Sequence, residues 1–304
     1  MSPYTSAGTP PPHVSPVPEQ PSNPYRLGRH VHHDPRSLRY TVQPTGVAQT
    51  KVWDRRIPVL DQGDLGSCTG NATVGVLGTE PFYTALTPVQ RKALDEAEAV
   101  RIYSLATQLD PFTGTYPPTD TGSDGLDAAK AAVRFGYLSG YQHITSVAAA
   151  QTAILSGPFV VGTNWYEGMF DPTSAGEVKI SGAVAGGHEY ECFGYNADTD
   201  RWMFWNSWGT SWGQSGAFWM SGKTFARLLS EDGDATTFVP VTQPAPQPTP
   251  TPGPDSFPAA QYEAFRTALL TLAPHPDSKP KVHKVINAGQ ALTTAMDAYL
   301  GRID

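Results

Sequence analysis

Residues 186–206 read Gly186-Gly-His-Glu-Tyr-Glu-Cys-Phe-Gly-Tyr-Asn-Ala-Asp-Thr-Asp-Arg-Trp-Met-Phe-Trp-Asn206. Two apolar runs flank an Asx-rich turn, and this pattern predicts a β-hairpin. If the turn centres near Ala197, His188 lies opposite Asn206, so a histidine and an asparagine meet on one face of the ribbon. The same register pairs Tyr190 with Phe204 and Cys192 with Trp202. The predicted contact depends on register, because a slip of one residue moves the two side chains to opposite faces.

A cysteine stands at the start of a predicted helix in the run Gln62-Gly-Asp-Leu-Gly-Ser-Cys68. Two glycines favour unusual backbone angles just before the helix, which we expect over residues 68–77 with Ser67 as its cap. Unpaired N–H groups in the first helical turn favour a thiolate over a thiol. A thiolate, a histidine and an orienting asparagine make an acyl-transfer site. Gln62 and the Cys68 N–H are the candidate donors to an oxyanion.

These motifs resemble the papain family of cysteine peptidases, over residues from about 50 to 230. The run that ends at Cys68 is similar to the family's nucleophile segment, and Gly187-His188 to its histidine strand. Asn206-Ser-Trp-Gly-Thr-Ser-Trp-Gly213 resembles its asparagine-tryptophan segment and is the most specific of the three. The resemblance implies an α+β, papain-like fold with two subdomains. A helical half would carry Cys68, and an antiparallel strand-rich half would carry His188 and Asn206.

The resemblance also implies a role for each matching residue. Cys68 attacks the carbonyl carbon, His188 takes and returns the proton, and Asn206 orients the imidazole. Gln62 helps to form the oxyanion hole. The implied substrate-binding residues are Trp208, which shields the histidine, Gly162 in the pocket for the second residue upstream of the cleaved bond, and Ser123, Asp124 and Gly125 along the substrate backbone.

The sequence departs from the family pattern in three ways. Thr69 stands where an aromatic residue usually follows the nucleophile. The disulfides of secreted members are missing, since the chain has two cysteines, Cys68 and Cys192. The helical propeptide signature of many members is not recognisable in residues 1–50. These features are more similar to bacterial or phage members of the family than to lysosomal ones.

Composition divides the chain into four predicted regions. Residues 1–45 form a Pro-rich irregular lead segment and residues 46–242 the catalytic domain. Residues 243–258 form a Pro-rich linker, and residues 259–304 a small module of two amphipathic helices. Within the catalytic domain we expect further helices over 96–109, 126–135 and 147–155, and strands over 159–164, 188–195 and 201–205.

Charge and hydropathy argue against two kinds of partner. The net charge is −7 and no Lys/Arg stripe is visible, which disfavours binding to nucleic acid. No apolar run approaches the ~18 residues of a membrane span, and no signal peptide is recognisable. We therefore expect a cytoplasmic or virion-associated protein.

The predicted function is that of a cysteine endopeptidase acting on protein or peptide substrates, without a metal or organic cofactor. Two alternatives remain open. The same thioester could be captured by an amine, giving a transamidase, or the triad could be silent in a binding module whose C-terminal helices dock a protein partner. A zinc site at His30, His32, His33 and Asp34 is disfavoured, because such a segment more often forms a solvated tail.

Overall fold

A computed structural model describes residues 25–36, 39–46, 48–241, 259–272 and 279–300. The chain divides into two compact units, Met1–Thr242 and Gln243–Asp304. The first unit contains every residue predicted to take part in catalysis or substrate binding. The predicted linker over 243–258 lies outside the described residues.

The described part of the first unit contains seven α-helices. They are α1 (Cys68–Leu77), α2 (Phe82–Ala85), α3 (Pro88–Ala93), α4 (Glu96–Leu109), α5 (Gly125–Arg134), α6 (Val147–Ala153) and α7 (Gly222–Ser230). The predicted bounds of α1 and α4 are confirmed, and those of α5 and α6 are confirmed to within one or two residues. Helices α2, α3 and α7 were not predicted, because their short segments carry too few apolar repeats to give a clear period.

Capping side chains explain where most of these helices begin. Asp95, Asp124 and Ser146 each accept a hydrogen bond from the backbone N–H three residues later. The predicted cap at Ser67 is wrong. Its backbone lies at φ −90° and ψ 15°, outside the extended region, and its hydroxyl donates instead to Asn71 Oδ1 at 2.8 Å.

Seven strands form one antiparallel sheet in the described residues, in the order β2-β7-β3-β4-β5-β6 with β1 also paired to β4. Their bounds are β1 Lys51–Val52, β2 Leu138–His143, β3 Phe159–Tyr166, β4 Val184–Asn196, β5 Arg201–Trp205, β6 Ala217–Ser221 and β7 Asp234–Pro240. The antiparallel sheet and the helices that precede it agree with the predicted α+β class.

The β4–β5 hairpin exists, but its predicted register is wrong. Cys192 pairs with Phe204 rather than with Trp202, and a bulge at Phe193 then brings Tyr195 opposite Trp202. The turn is longer than expected, since residues 197–200 lie between the last paired residues. Before the bulge the observed pairing is shifted by two residues from the predicted pairing. A shift of two residues keeps each side chain on the same face of the sheet.

Two hydrophobic cores correspond to the predicted helical and strand-rich halves. One core is built mainly from α1, α4 and α5, with residues such as Leu77, Ile102 and Ala128. The other lies on the sheet and is rich in aromatic residues, including Trp165 and Trp202. Helix α1 packs against β4, and Cys68 is its first residue.

The second unit consists of α8 (Ala259–Leu272) and α9 (Lys279–Leu300) in its described part. A Cβ added at Gly289 would lie 3.2 Å from the Phe265 ring, so the glycine allows the two helices close approach. Tyr262, Leu269 and Ile286 are exposed. The docking of a partner by these helices stays a prediction. Among the described helices, none combines the length and hydropathy that a bilayer crossing requires.

Candidate active site

Cys68 is the first residue of α1 and is completely buried. Its sulfur lies against β4, and the backbone groups of Glu189, Gly28 and Thr69 next to it favour the thiolate and so lower the pKa of Cys68, against the larger effect of burial. Cys192 lies in the sheet core, and both cysteines are free. The thiol of Cys68 therefore lies against the residue that follows the predicted histidine.

The predicted contact between the histidine and the asparagine is present. His188 Nε2 lies 2.8 Å from Asn206 Oδ1, and the same oxygen accepts the Ser207 N–H at 2.7 Å. The imidazole stacks on the Trp208 ring at 4.5 Å between centroids, and the Trp165 ring meets it edge-on at 5.0 Å. Within the described residues His188 Nδ1 has no hydrogen-bond partner, so this nitrogen is available to exchange a proton with a thiol.

Gln62 is fixed by contacts at both ends of its amide. Its Oε1 accepts from the Ser207 hydroxyl at 2.6 Å, which orients the Nε2 group. That Nε2 donates to Leu65 O at 2.7 Å and to Arg26 O at 3.3 Å. The Trp208 indole N–H donates to the same Arg26 carbonyl at 3.3 Å. The predicted oxyanion donor thus already holds a peptide carbonyl in this structure.

That carbonyl belongs to residues 25–32, which we call the cleft segment. Gly28 N and Arg29 N donate to Gly187 O at 3.2 and 3.0 Å, directly before His188. Gly28 packs so closely that an added Cβ would collide with the Gly66 carbonyl oxygen. The ring of Tyr25 stacks on Trp208 at 4.7 Å. The cleft segment therefore covers the thiol and the imidazole together.

The covered cleft holds both groups in neutral form. Burial, and next the charge of Glu189 when it is ionised, raise the pKa of Cys68 to about 12, and burial also raises the pKa of Glu189 well above its usual value, which limits this second effect. Burial lowers the pKa of His188 to about 4, against the opposing effect of the hydrogen bond to Asn206. A thiolate–imidazolium pair is disfavoured as long as the cleft segment excludes water.

Each residue predicted to bind substrate either contacts the cleft segment or lies next to the Glu189 carboxylate. Ser123 exchanges two backbone hydrogen bonds with it, from Ser123 N to Gly28 O at 2.9 Å and from His30 N to Ser123 O at 2.7 Å. Asp124 caps α5 and binds the His32 ring. Gly125 and Gly162 lie on either side of the Glu189 carboxylate, where an added Cβ would collide with its oxygens.

Three charged residues of the site were not predicted from the sequence. The Arg29 side chain is fully buried beside Glu189 and forms an ion pair with Asp234 at the start of β7. The available signal was the alternation Glu189-Tyr-Glu191 inside an otherwise apolar strand. Two carboxylates on one face of a buried strand require a counter-ion. The sequence gives no indication that Arg29 is that counter-ion.

The histidines of the lead segment do not group as the zinc hypothesis required. His30 Nε2 lies 2.5 Å from Thr121 O, whereas His32 Nδ1 lies 3.1 Å from both Asp124 Oδ2 and Asp127 Oδ2. The hydrogen bond to Asp124, then that to Asp127, raises the pKa of His32 to about 10. Among the described residues, His32, Asp124 and Asp127 form a group that could hold a cation, because their ligand atoms lie within 4.8 Å of one another. The Lys130 ammonium already pairs with Asp127 at 2.7 Å.

Comparison with known proteins agrees with this geometry. Residues 103–228, which contain His188 and Asn206 but not Cys68, match the model of the papain family cysteine protease. The fold is similar to the crystal structure of Xylellain, a cysteine protease from Xylella fastidiosa, with a TM-score of 0.56 and 19% identity. That match covers 71% of this chain and 96% of Xylellain.

A second similarity is local. Over 71 residues, 22% of this chain, the sequence is 38% identical to cathepsin B-like cysteine proteinase 5 of Caenorhabditis elegans. The matched part spans about a fifth (21%) of that relative's length. The chain thus matches the papain family model over residues 103–228, and its fold is similar to that of a papain-like cysteine protease.

Proposed function

We propose that this chain is a cysteine endopeptidase that hydrolyses peptide bonds through Cys68, His188 and Asn206. The observation that carries the proposal is the 2.8 Å contact between His188 Nε2 and Asn206 Oδ1, which leaves His188 Nδ1 without a partner among the described residues, while the Cys68 sulfur lies against the backbone of the next residue, Glu189. An asparagine oxygen on Nε2 fixes that nitrogen as the donor, so Nδ1 of the neutral ring is the acceptor.

The chemistry follows from this arrangement. The Cys68 proton moves to His188 Nδ1, and the thiolate attacks the carbonyl carbon of the scissile bond while the carbonyl electron pair moves to oxygen. The Gln62 side-chain N–H, which now donates to the Leu65 and Arg26 carbonyls, and the Cys68 backbone N–H then serve as the donors to that oxyanion. When the C–N bond breaks, His188 returns the proton to the leaving amine and a thioester remains. Water then attacks the thioester with His188 as base, releasing a carboxylic acid and the free thiol.

Substrate reaches these groups only after the cleft segment leaves. Once water enters, the burial that raises the pKa of Cys68 and lowers that of His188 is relieved, and we expect the charged pair to form. Gly28→Val should hold the cleft open, because its side chain would collide with the Gly66 carbonyl in the covered form.

The test is cleavage of a peptide library by the full-length Gly28→Val chain, with the products identified by mass spectrometry. We expect internal peptide bonds to be cut, and the activity to disappear when Cys68→Ala is added. Cys192→Ala is the matched control, because this thiol lies in the sheet core, and it should leave cleavage intact. Equal cleavage with and without Cys68 would refute the proposal.

Two further outcomes address the alternatives. Amine adducts as the main product, when an amine nucleophile is added, would indicate a transamidase. A folded chain that cleaves nothing, and whose Cys68 is not alkylated by a thiol-directed epoxide, would indicate a silent binding module.

A further inference from the structure

A small acidic pocket lies beside the nucleophile. Glu189 follows His188 in β4, and its carboxylate lies between Gly125 and Gly162, both of which leave room for it by lacking a side chain. An added Cβ at Gly162 would lie 2.6 Å from Arg29 Nε and 3.0 Å from Asp234 Oδ1. The two carboxylates and the guanidinium therefore surround one point next to the catalytic groups.

Arg29 fills this pocket completely. Its side chain has no exposed surface, its Nη2 pairs with Asp234, and the same nitrogen donates to Asp232 O at 2.7 Å. Glu189 is also fully buried, and neither of its oxygens has a hydrogen-bond partner among the described residues. The charge of Arg29 is attracted to both carboxylates.

Removal of Arg29 would leave two acidic groups in a cavity built for a cation. A buried carboxylate without a partner is costly, and two close together are more so. The pocket floor is fixed in the fold, since Glu189 belongs to the central strand β4 and Asp234 to β7. When the cleft segment leaves, a cationic side chain from another peptide is the group that best neutralises the two carboxylates.

We infer that this pocket selects peptide substrates by a basic side chain, arginine above lysine, and that Arg29 occupies the place of that side chain in the covered enzyme. The inference rests on the proposed peptidase function. The Gly28 backbone lies beside the Cys68 sulfur and Arg29 is the next residue. The selected residue should therefore lie one or two positions from the cleaved bond.

The two arginines of the cleft segment differ, and Arg29 is the one that is fully buried. Arg26, three residues earlier, pairs with Asp120 at 3.1 Å, and its side chain remains 37% exposed. Arg29 Nη2 donates to Asp232 O and Asp234, while its Nε lies on the Glu189 side of the pocket near Gly162, so the planar guanidinium presents nitrogen atoms to both sides, whereas an ammonium is a single point charge. This geometry is the reason for the expected order of arginine before lysine.

The test compares peptide families that differ at the positions around the cleaved bond, each carrying arginine, lysine, leucine or glutamate. The enzyme is the full-length Gly28→Val chain, with Arg29→Ala as a second opened variant. At one position, we expect kcat/KM for arginine to exceed that for leucine by about tenfold or more. Asp234→Asn and Glu189→Gln should each reduce this ratio by lowering kcat/KM for the arginine peptide more than for the leucine peptide. Asp198→Asn, an exposed change in the β4–β5 turn, is the matched control and should leave the ratio unchanged.

The outcomes separate this inference from the proposed function. Cleavage with equal or greater preference for leucine at every position would overturn the acidic-pocket inference and leave the peptidase intact. An arginine preference that survives both pocket substitutions would also overturn it. Failure of both opened variants, each shown to be folded by its thermal transition, to cleave any peptide would overturn the inference and the proposed function together.

Discussion

Strand β4 carries two buried glutamates on the same face, and each has an arginine beside it. Glu191 Oε2 lies 2.6 Å from Arg55 Nη1, and this pair packs on α1, where an added Cβ at Gly75 would lie 2.7 Å from the glutamate oxygen. Glu189, two residues earlier, lies beside Arg29 of the cleft segment. The two glutamates thus differ in where their arginine comes from.

The difference separates the Glu191–Arg55 ion pair from a looser charge interaction, because Arg29 is attracted to Glu189 but forms its ion pair with Asp234. Arg55 is tied to the domain by a backbone bridge to Thr79 and has no obvious route out. Arg29 is held by a segment without helix or extended strand, and this segment crosses the cleft that we propose as the substrate site. Glu189 also shares its arginine with Asp234, whereas among the described residues Arg55 forms an ion pair with Glu191 and with no other carboxylate. Removal of either partner should therefore have unequal consequences at the two places.

The largest expected effect is the loss of stability on breaking the Arg55 pair. Glu191→Gln leaves a buried guanidinium without a counter-charge, which should lower the free energy of unfolding by about 3–5 kcal/mol. The matched change Glu189→Gln should cost only about 1 kcal/mol, because Arg29 keeps Asp234. Urea unfolding followed by fluorescence measures both. Equal losses would show that the two glutamates are equivalent and would remove the distinction drawn here.

The second prediction concerns access to the thiol. Arg29→Ala removes the buried charge that holds the cleft segment, and loss of such a contact shifts the opening equilibrium by about a hundredfold. The rate of Cys68 alkylation by iodoacetamide, read by peptide mapping, should rise accordingly. Arg26→Ala removes a partly exposed pair and should raise this rate less than about tenfold. Faster alkylation in Arg26→Ala than in Arg29→Ala would show that Arg29 is not the residue that holds the cleft segment over Cys68.

The smallest effect should come from His32, which ties the end of the cleft segment to Asp124 and Asp127. The fold raises the pKa of His32 from 6.5 to about 10, so its stabilising charge is fully present below pH 6.5 and is lost as the pH rises towards 10. His32→Asn should lower stability by about 1 kcal/mol near pH 6 and by almost nothing near pH 10. Lys130, which also pairs with Asp127, is present in both proteins. A loss that is equal at both pH values would exclude this charge effect.

The sequence predicted the catalytic contact better than the register from which it was deduced. Expected pairing placed Asn206 directly opposite His188, whereas the observed register, extended past Trp205, places it diagonally. The contact survives because an offset of two residues keeps the same face and a carboxamide can reach a diagonal neighbour. The bulge at Phe193 and the longer turn were not predictable, since both depend on packing between the strands.

The cleft segment shows where sequence reasoning stops. Proline and histidine content predicted an irregular lead segment, and residues 25–36 and 40–46 contain no helix and only isolated β-bridges at Arg29 and Thr41. Nothing in the composition indicated that the Arg29 side chain would lie beside Glu189, which is about 160 residues away in the sequence. Such long-range pairs follow from tertiary structure, and the local pattern around Arg29 contains no trace of its partners.

The nucleophilic role of Cys68 is tested most directly by trapping its acyl-enzyme. The full-length Gly28→Val chain would be mixed with a peptide ester, quenched in acid, digested with trypsin and analysed by mass spectrometry. We expect the acyl group on peptide 57–91, which contains Cys68, and its loss after treatment with hydroxylamine. An acyl group on peptide 180–201, which contains Cys192, or product formation with no adduct on either cysteine, would contradict the account.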